Sequence, residues 1–232
     1  MEDIKVLIDG SLSVLDRQDV LALVNFLDAS DFYTAPCSTK FHLACPGGLA
    51  QHTYNVMKCA SRINQQYENL FNEESIILTA VGHDLCKVNF YQELDELPTD
   101  PQMKYLTSLL QKAGIQTPTK LNKAYAGVLI EFMLKEYKTS PDCVMLPPYQ
   151  HNYIVKDEMP LGHGEKSLYI MQQFINLTID EALSIRWHMA FFDAGIHFPY
   201  PSGYAYQEAI KKSKLVSIII LADIEASNLM EV

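Results

Sequence analysis

The chain reads IILTAVGHDLCK over residues 76–87, an apolar run that ends in an imidazole, a carboxylate and an ammonium group. On a helix, steps of one, three and four residues place the imidazole, the carboxylate and the ammonium on the face that carries the apolar residues. The residues of this face are Ile76, Ile77, Ala80, His83, Asp84 and Lys87. A face turned toward the core rarely carries charged groups, because each buried charge needs a partner, and a divalent metal ion suits His and Asp. The alternative is a helix end that opens into solvent, where a lysine interacts favourably with the helix dipole. These residues alone leave both interpretations open.

Size and composition predict one soluble domain. The chain has 232 residues, of which 48% are hydrophobic, and it shows no obvious linker or repeat, so it can bury one sizeable core. The longest apolar run, residues 216–224, is too short to span a bilayer, and the first residues lack the pattern of a secretory signal. We therefore expect a cytoplasmic protein that does not contact membranes.

Cysteine usage and charge narrow the classes of partner. The five cysteines include no CxxC pair, which argues against a disulfide framework and against a zinc knuckle. The formal net charge of −10 disfavours binding of long duplex nucleic acid through its phosphates, although bound metal ions would reverse the sign locally. Small anionic substrates remain compatible with this charge.

Apolar periodicity predicts an all-α fold. Residues 92–141 form a helical insertion in this interpretation, and residues 143–146 and 153–155 form a small peripheral β-hairpin. Residues 32–42 are aromatic and rich in hydroxyl groups, which is typical either of a strap over a pocket or of a surface connection; residues 198–206 predict a loop that lines a pocket mouth. The predicted helices are 16–28, 46–63, 76–87, 103–112, 121–137, 160–174, 178–192 and 206–230.

Three histidines and one aspartate outside residues 76–87 also occupy positions where a metal ligand is plausible. His52 lies on the apolar stripe of its helix, although a single histidine there is more often a core residue bonded to a carbonyl. His163 stands between two glycines, where backbone approaches closely or where a turn faces solvent. His188 follows the apolar Ile185 by three residues, and Asp223 lies in the most apolar helix. An ionised carboxylate in such a helix costs several kcal/mol unless a cation pairs with it.

One metal centre accounts for all of these residues together, whereas separate explanations must each hold independently. A ligand set of histidine and aspartate without thiolate suits Fe, Mn, Co, Zn or Mg. Asp84 could bridge two ions. The candidate metal ligands are His52, His83, Asp84, His163, His188 and Asp223.

The order His, His-Asp, His, His, Asp on a helical chain resembles the HD-domain superfamily of metal-dependent phosphohydrolases. The strings GGLAQH, ending at His52, and HDLCK, residues 83–87, look like its first two motifs. The resemblance runs from about residue 34 to residue 225 and is weakest over residues 92–141. Within the superfamily the strings most resemble the HD domain of bacterial 3′-to-5′ exoribonucleases and small stand-alone HD hydrolases, some of them phage-borne. We expect no OB-fold before this region, which argues against processive RNA degradation. The HD-GYP signature of cyclic-di-GMP phosphodiesterases is not visible either.

The resemblance implies an HD-domain helical bundle with two divalent ions. His52, His83, Asp84 and Asp223 would hold one ion, and His163 and His188, with Asp84 bridging, would hold the second. Asp84 and Lys87 would be catalytic, and Lys87 would contact a phosphate of a nucleotide or short oligonucleotide. Two such ions generate a hydroxide near neutral pH and clamp phosphoryl oxygens. The further predicted substrate contacts are Arg186, Lys166 and His42, of which the first two fit surface salt bridges equally well.

Two other functions remain compatible with the same residues. The six-residue pattern also resembles that of mixed-valent diiron oxygenases built on the HD fold, such as myo-inositol oxygenase, which implies oxidation of a polyol or a phosphonate. A non-catalytic nucleotide-binding module is the third possibility, although intact ligands at all six positions count against it. Redox chemistry requires iron and oxygen, whereas hydrolysis tolerates Mn, Co or Mg, so a metal exchange distinguishes the first two.

Overall fold

The computed structural model describes residues 3–139, 146–192 and 201–231, which form ten α-helices and one two-stranded sheet. The prediction of an all-α protein is therefore confirmed. The chain divides into two compact units, one made of Met1–Tyr91 with Val155–Val232 and the other of Gln92–Ile154. The smaller unit begins where the insertion is predicted to begin and extends beyond residue 141. In the described ranges, every helix is too short or too polar to cross a lipid bilayer.

The larger unit carries all six candidate ligands. Helix α3 packs against α4 and α10, and α8 packs against α4, α7 and α10. A continuous apolar core from α1, α2, α3, α4, α8 and α10 fills the space between them. This packing brings distant parts of the chain side by side around the ends of α4 and α8. The helices of this unit are α1 (Ile4–Ser13), α2 (Val20–Ala29), α3 (Gly48–Gln66), α4 (Glu73–Gly82), α7 (His163–Met171), α8 (Ile179–Trp187), α9 (Pro201–Lys212) and α10 (Lys214–Glu225).

The structure differs from the predicted helices at both ends of the chain. Helix α1 was not predicted, although Ile8 and Leu12 lie four residues apart on its buried face and Asp3 caps its first turn. The single helix expected over residues 206–230 is interrupted at Ser213, whose extended backbone (φ −131°, ψ 123°) separates α9 from α10. Residues 201–206 belong to α9 and not to a loop, and residues 198–200 lie outside the described residues.

Helix α10 is buried on one face only, although most of its residues are apolar. Leu221 and Ile224 are about half exposed, whereas Leu215, Ile219 and Ala222 are fully buried. A helix that is apolar on all faces is usually buried on all faces, but one face of α10 remains in contact with solvent. A π-helical turn, Ala226–Met230, follows α10 and leads to Glu231.

The smaller unit contains α5 (Asp100–Lys112) and α6 (Lys123–Thr139), close to the two helices predicted there. Leu106, Leu110 and Leu129 are fully buried between these helices and form a core of their own. A two-stranded sheet pairs β1 (Tyr91–Glu93) with β2 (Tyr153–Val155). Residues 143–145 of the predicted hairpin lie outside the described residues. The observed partner of residues 153–155 is β1, where no strand was predicted.

A buried carboxylate ties the beginning of α8 to α4 and to the segment before α2. Glu181 accepts hydrogen bonds from Arg17 (2.7 Å), from the Ser75 hydroxyl (2.6 Å) and from the backbone N–H of Thr178 (2.8 Å). Thr178 in turn caps α8 by accepting from the N–H of Glu181, which completes a capping box. Burial acts to raise the pKa of Glu181, but the hydrogen bonds from Arg17 and Ser75 outweigh it and the pKa is lowered.

Glu181→Gln should lower the free energy of unfolding near pH 7 by roughly 1–3 kcal/mol, because the amide leaves part of this buried network unsatisfied. A carboxyl whose pKa is lowered by folding stabilises the protein above its unfolded pKa, about 4.5. That stabilisation is lost as the pH falls through the folded pKa, so the difference between wild type and variant should shrink below that pH. Urea unfolding at neutral and acid pH measures this difference in the free energy of unfolding.

The matched control is Glu208→Gln, which changes the same charge in an exposed pair with Lys211. We expect it to alter stability by less than about 1 kcal/mol. A Glu181→Gln effect that is equally large at neutral and acid pH contradicts the role assigned to the carboxylate.

Candidate metal centre

The six candidate ligands come together from five parts of the larger unit. His52 lies in the middle of α3, Asp223 lies near the end of α10, and His163 is the first residue of α7. His188 directly follows α8. His83 and Asp84 directly follow α4, which ends at Gly82, and residues 85–87 form a 3₁₀ turn instead of continuing the helix as predicted.

The alternative in which residues 83–87 open into solvent is excluded. His83 is 0% exposed and Asp84 is 3% exposed. Two glycines allow the close packing that buries them. A Cβ atom on Gly82 would lie 2.8 Å from the Ile185 side chain, and one on Gly164 would overlap the Arg186 carbonyl group. Helices α4, α7 and α8 therefore approach one another closely where their ligands lie.

Asp84 lies at the centre of the cluster, and its two oxygens face different imidazoles. Oδ1 is 2.7 Å from Nε2 of His163 and 3.7 Å from Nε2 of His188. Oδ2 is 3.5 Å from Nε2 of His83 and 3.6 Å from Nε2 of His52. A carboxylate in this position can ligate two cations at once, one through each oxygen.

The cluster contains two groups that could hold metal ions, each with ligand atoms within 4.8 Å of one another. In the first group, Nε2 of His52 is 3.2 Å from Nε2 of His83 and 3.2 Å from Oδ1 of Asp223. The second group consists of Asp84, His163 and His188. Sequence reasoning named all six residues and divided the histidines in the same way.

Hydrogen bonds that Nδ1 donates orient three of the four imidazoles. Nδ1 of His83 donates to the Ala80 carbonyl (2.6 Å) and Nδ1 of His188 donates to the Ile185 carbonyl (2.8 Å). Nδ1 of His52 donates to the carboxylate of Glu231. A histidine that donates from Nδ1 keeps the lone pair of Nε2 for a metal.

Nε2 of His188 is buried and accepts or donates no hydrogen bond within the described residues. An unpaired buried nitrogen is costly unless something else binds it. A cation is such a partner, so the residues present fit a metal ion.

The ionisation states of the carboxylates also fit cation binding. Burial acts to raise the pKa of Asp84, but Lys87 and His83 outweigh it and hold the pKa well below its usual value. Burial likewise opposes ionisation of Asp223, and its hydrogen bond with His52 lowers the pKa to about 2. Both carboxylates are therefore charged at neutral pH.

The imidazoles of His83 and His52, which lie side by side, differ in charge. Burial lowers the pKa of His83 to about 4, so this ring is neutral at pH 7. Burial acts in the same direction on His52, but hydrogen bonds with Asp223 and Glu231 outweigh it and raise the pKa to about 9. The ring of His52 is therefore protonated when no metal is bound, and a metal would replace the proton on Nε2.

Lys87 and His42 lie next to the cluster. The ammonium of Lys87 donates to Oδ2 of Asp84 (2.6 Å) and lies 3.4 Å from the Cys37 sulfur. The ring of His42 lies 5.1 Å from the ring of His52 and 3.3 Å from the Cys37 sulfur. Part of the segment 32–42 therefore covers one side of the cluster, as expected of a strap.

Lys166 and Arg186, the other predicted substrate contacts, each pair with a carboxylate. Lys166 donates to Asp157 (2.6 Å) and lies over the Phe90 ring. Arg186 pairs with Glu165 and stacks on the ring of Trp187. Both residues form salt bridges, as the structural alternative expected, but Lys166 is only 6% exposed, so its pair is not a surface salt bridge. A role of either residue in substrate binding stays a prediction.

Sequence reasoning missed two residues beside the cluster. Cys37 forms a further group of possible metal ligands with His42 and His52. Glu231 is 179 residues away from His52 along the chain. Neither residue carries a local signal, because a lone cysteine in a loop and a glutamate after a helix are common in any sequence.

Comparisons of the chain with protein-family models, with curated proteins and with solved structures find no match. No family is therefore assigned to it, and the likeness to the HD superfamily stays a prediction from two short motifs and the order of the ligands. What the protein does must be inferred from the arrangement of its own side chains.

Proposed function

We propose that the protein is a metal-dependent phosphohydrolase of the HD type, which hydrolyses a phosphoester in a nucleotide or short oligonucleotide. One observation carries most of the weight: the carboxylate of Asp84 lies between two sets of imidazoles and directs one oxygen to each. Such a carboxylate suits a pair of cations, and paired cations are a common basis of phosphoester hydrolysis.

The ligand set supports two ions of the divalent class. His52, His83, Asp223 and Oδ2 of Asp84 would hold one ion, while His163, His188 and Oδ1 of Asp84 would hold the other. Nitrogen and carboxylate donors without thiolate suit Fe, Mn, Co, Zn or Mg. Ions bound in this way would supply an activated water and would offset charge on the phosphoryl oxygens.

The protein's own side chains hold the charges that this reaction needs. Burial acts against the charge of Lys87, but Asp84 outweighs it and raises the pKa well above the usual value, so the ammonium persists. The Lys87 side chain is 12% exposed. An ammonium here can donate to a phosphate oxygen whose negative charge grows during the reaction. His42, which is partly exposed on the neighbouring strap, can contact the same substrate.

A small substrate is favoured over a long polymer. The chain carries a net charge of −10, whereas proteins that bind long nucleic acids usually present a basic stripe along the phosphates. Bound cations would provide positive charge only locally, as Lys87 does. A mononucleotide or a short oligonucleotide requires no more than that.

Lys87→Met should reduce kcat by about 10²-fold while both ions stay bound, because the ammonium acts on the substrate and is not a metal ligand. The assay offers mononucleotides, cyclic dinucleotides and short oligonucleotides to protein loaded with Mn²⁺, Mg²⁺, Co²⁺, Zn²⁺ or Fe²⁺. Elemental analysis of each sample gives the metal content. The control is Lys211→Met, which removes the same charge from an exposed pair with Glu208 and should keep wild-type kcat.

Two outcomes contradict this proposal. If no phosphoester is hydrolysed with any metal, while iron-loaded protein consumes oxygen in the presence of a polyol or a phosphonate, the protein is an oxygenase and not a hydrolase. If Lys87→Met loses metal together with activity, the lysine supports the metal site and does not act on the substrate.

A further inference from the structure

His52 differs from the other oriented histidines of the cluster in the partner of its Nδ1 atom. His83 and His188 donate to backbone carbonyls three residues earlier in the chain. Nδ1 of His52 instead lies 3.0 and 3.1 Å from the two carboxylate oxygens of Glu231. The partner of His52 therefore depends on tertiary structure, whereas the other two partners lie within their own helical turns.

Glu231 is held firmly in this position. Its side chain is 1% exposed, and Oε1 also accepts a hydrogen bond from Asn55 (2.9 Å), which lies one turn after His52 in α3. The preceding residue, Met230, places its sulfur 3.4 Å from the Cys59 sulfur of α3. A buried carboxylate requires such partners, and here the partners come from the face of α3 that carries His52.

The ring of His52 is thus held between two carboxylates from one part of the chain. Asp223 of α10 faces Nε2 at 3.2 Å, and Glu231, which follows the π-helical turn after α10, faces Nδ1 at 3.0 Å. Helix α10 and this turn would therefore supply one metal ligand and also the group that orients another. The π-helical turn sets where Glu231 meets α3, and π-helical turns are frequent at functional sites.

We infer that Glu231 is a positioning residue for the metal ligand His52: it accepts the Nδ1 proton, fixes the ring orientation and keeps Nε2 directed at the ion. This inference rests on the proposed metal centre. A carboxylate that accepts from the far nitrogen of a ligating imidazole typically changes metal affinity by about 10- to 100-fold. It also follows by linkage that bound metal stabilises the contact between residues 226–231 and α3.

The experiment compares metal affinity among the wild type, Glu231→Ala, Glu231→Gln and Glu225→Gln. Equilibrium dialysis against Mn²⁺ or Co²⁺, followed by elemental analysis, gives the dissociation constants without any assay of activity. Glu231→Ala should weaken binding by about 10- to 100-fold. Glu231→Gln should weaken it less, because the amide oxygen still accepts the Nδ1 proton. Glu225→Gln should match wild type, because Glu225 pairs with the partly exposed Arg62.

A second measurement separates positioning from a general structural effect. In the His52→Ala background, Glu231→Ala should cause no further loss of metal affinity, because Glu231 acts through the imidazole. Melting of the metal-free proteins checks that the variants fold. Hydrogen exchange at residues 226–231 should slow when Mn²⁺ is added to wild type and should not slow in His52→Ala.

The outcomes distinguish this inference from the proposed function. A Glu231→Ala variant with wild-type affinity, or one whose loss persists undiminished in the His52→Ala background, overturns the positioning role and leaves the hydrolase proposal standing. A wild-type protein that binds no metal overturns the proposed metal centre, and the positioning role with it.

Discussion

Asp84→Ala should reduce the metal content from two ions per chain to none and should lower turnover by at least about 10³-fold. The reason is geometric, since the two oxygens of this one carboxylate face both groups of imidazoles. Each of the other five candidate ligands belongs to only one of these two groups. His163→Ala and Asp223→Ala should therefore each lose one ion and retain the other. Elemental analysis after dialysis measures all three variants.

Loss of the ion pair with Lys87 complicates the Asp84→Ala variant, because it leaves a buried ammonium without its carboxylate. The double variant Asp84→Ala, Lys87→Met removes both charges and isolates the effect on the metals. Circular dichroism of both proteins establishes that they fold. Retention of two ions in the double variant, or the same metal content in the Asp84 and Asp223 variants, contradicts a bridging role for Asp84.

Removal of metal should lower the melting temperature of the wild type substantially. A ligand present at about 100 times its dissociation constant stabilises the folded state by about 2.7 kcal/mol per site. For a chain of this size, that corresponds to roughly 5–11 °C for each site lost. The physical basis is the negative charge of three neighbouring carboxylates, which Lys87 and the protonated His52 offset only in part when no metal is present. These carboxylates belong to Asp84, Asp223 and Glu231.

The single tryptophan of the chain makes this measurement specific to the larger unit. Trp187 is mostly buried and immediately precedes His188, so its fluorescence follows unfolding around the cluster. The control is the double variant Asp84→Ala, Lys87→Met, whose melting temperature should not respond to a chelator. A wild-type melting temperature that is the same before and after chelation, in protein known to have contained metal, contradicts the proposed site.

Local signals predicted several helices well. The apolar stripe of α3, with Leu49, Val56 and Ala60, is buried as expected, because the spacing of apolar residues determines which face of a helix avoids water. The beginning of α8 follows from Thr178 and Glu181, since a capping box is a contact within one turn. Such features depend on residues that are close in sequence, so they can be predicted without knowledge of the tertiary structure.

Features that depend on distant residues were not predicted. The partner of residues 153–155 is β1, and nothing within either short strand specifies the other. The break at Ser213 lies in a polar stretch, Lys211 to Lys214, that is equally compatible with a continuous helix. Short strands and helix interruptions are decided by packing, which outweighs weak local preference.

The sequence by itself determined that the protein is helical and that His52, His83 and Asp84 are buried, because apolar spacing and helix caps act over one or two turns. Only the tertiary structure decided how those residues meet. The position of Asp84 between two groups of imidazoles depends on how α4, α7 and α8 pack, and the contact of Glu231 with His52 joins residues 179 positions apart. Distances of this kind are set by the packing of whole helices, and a metal site requires them to be correct within a fraction of an ångström.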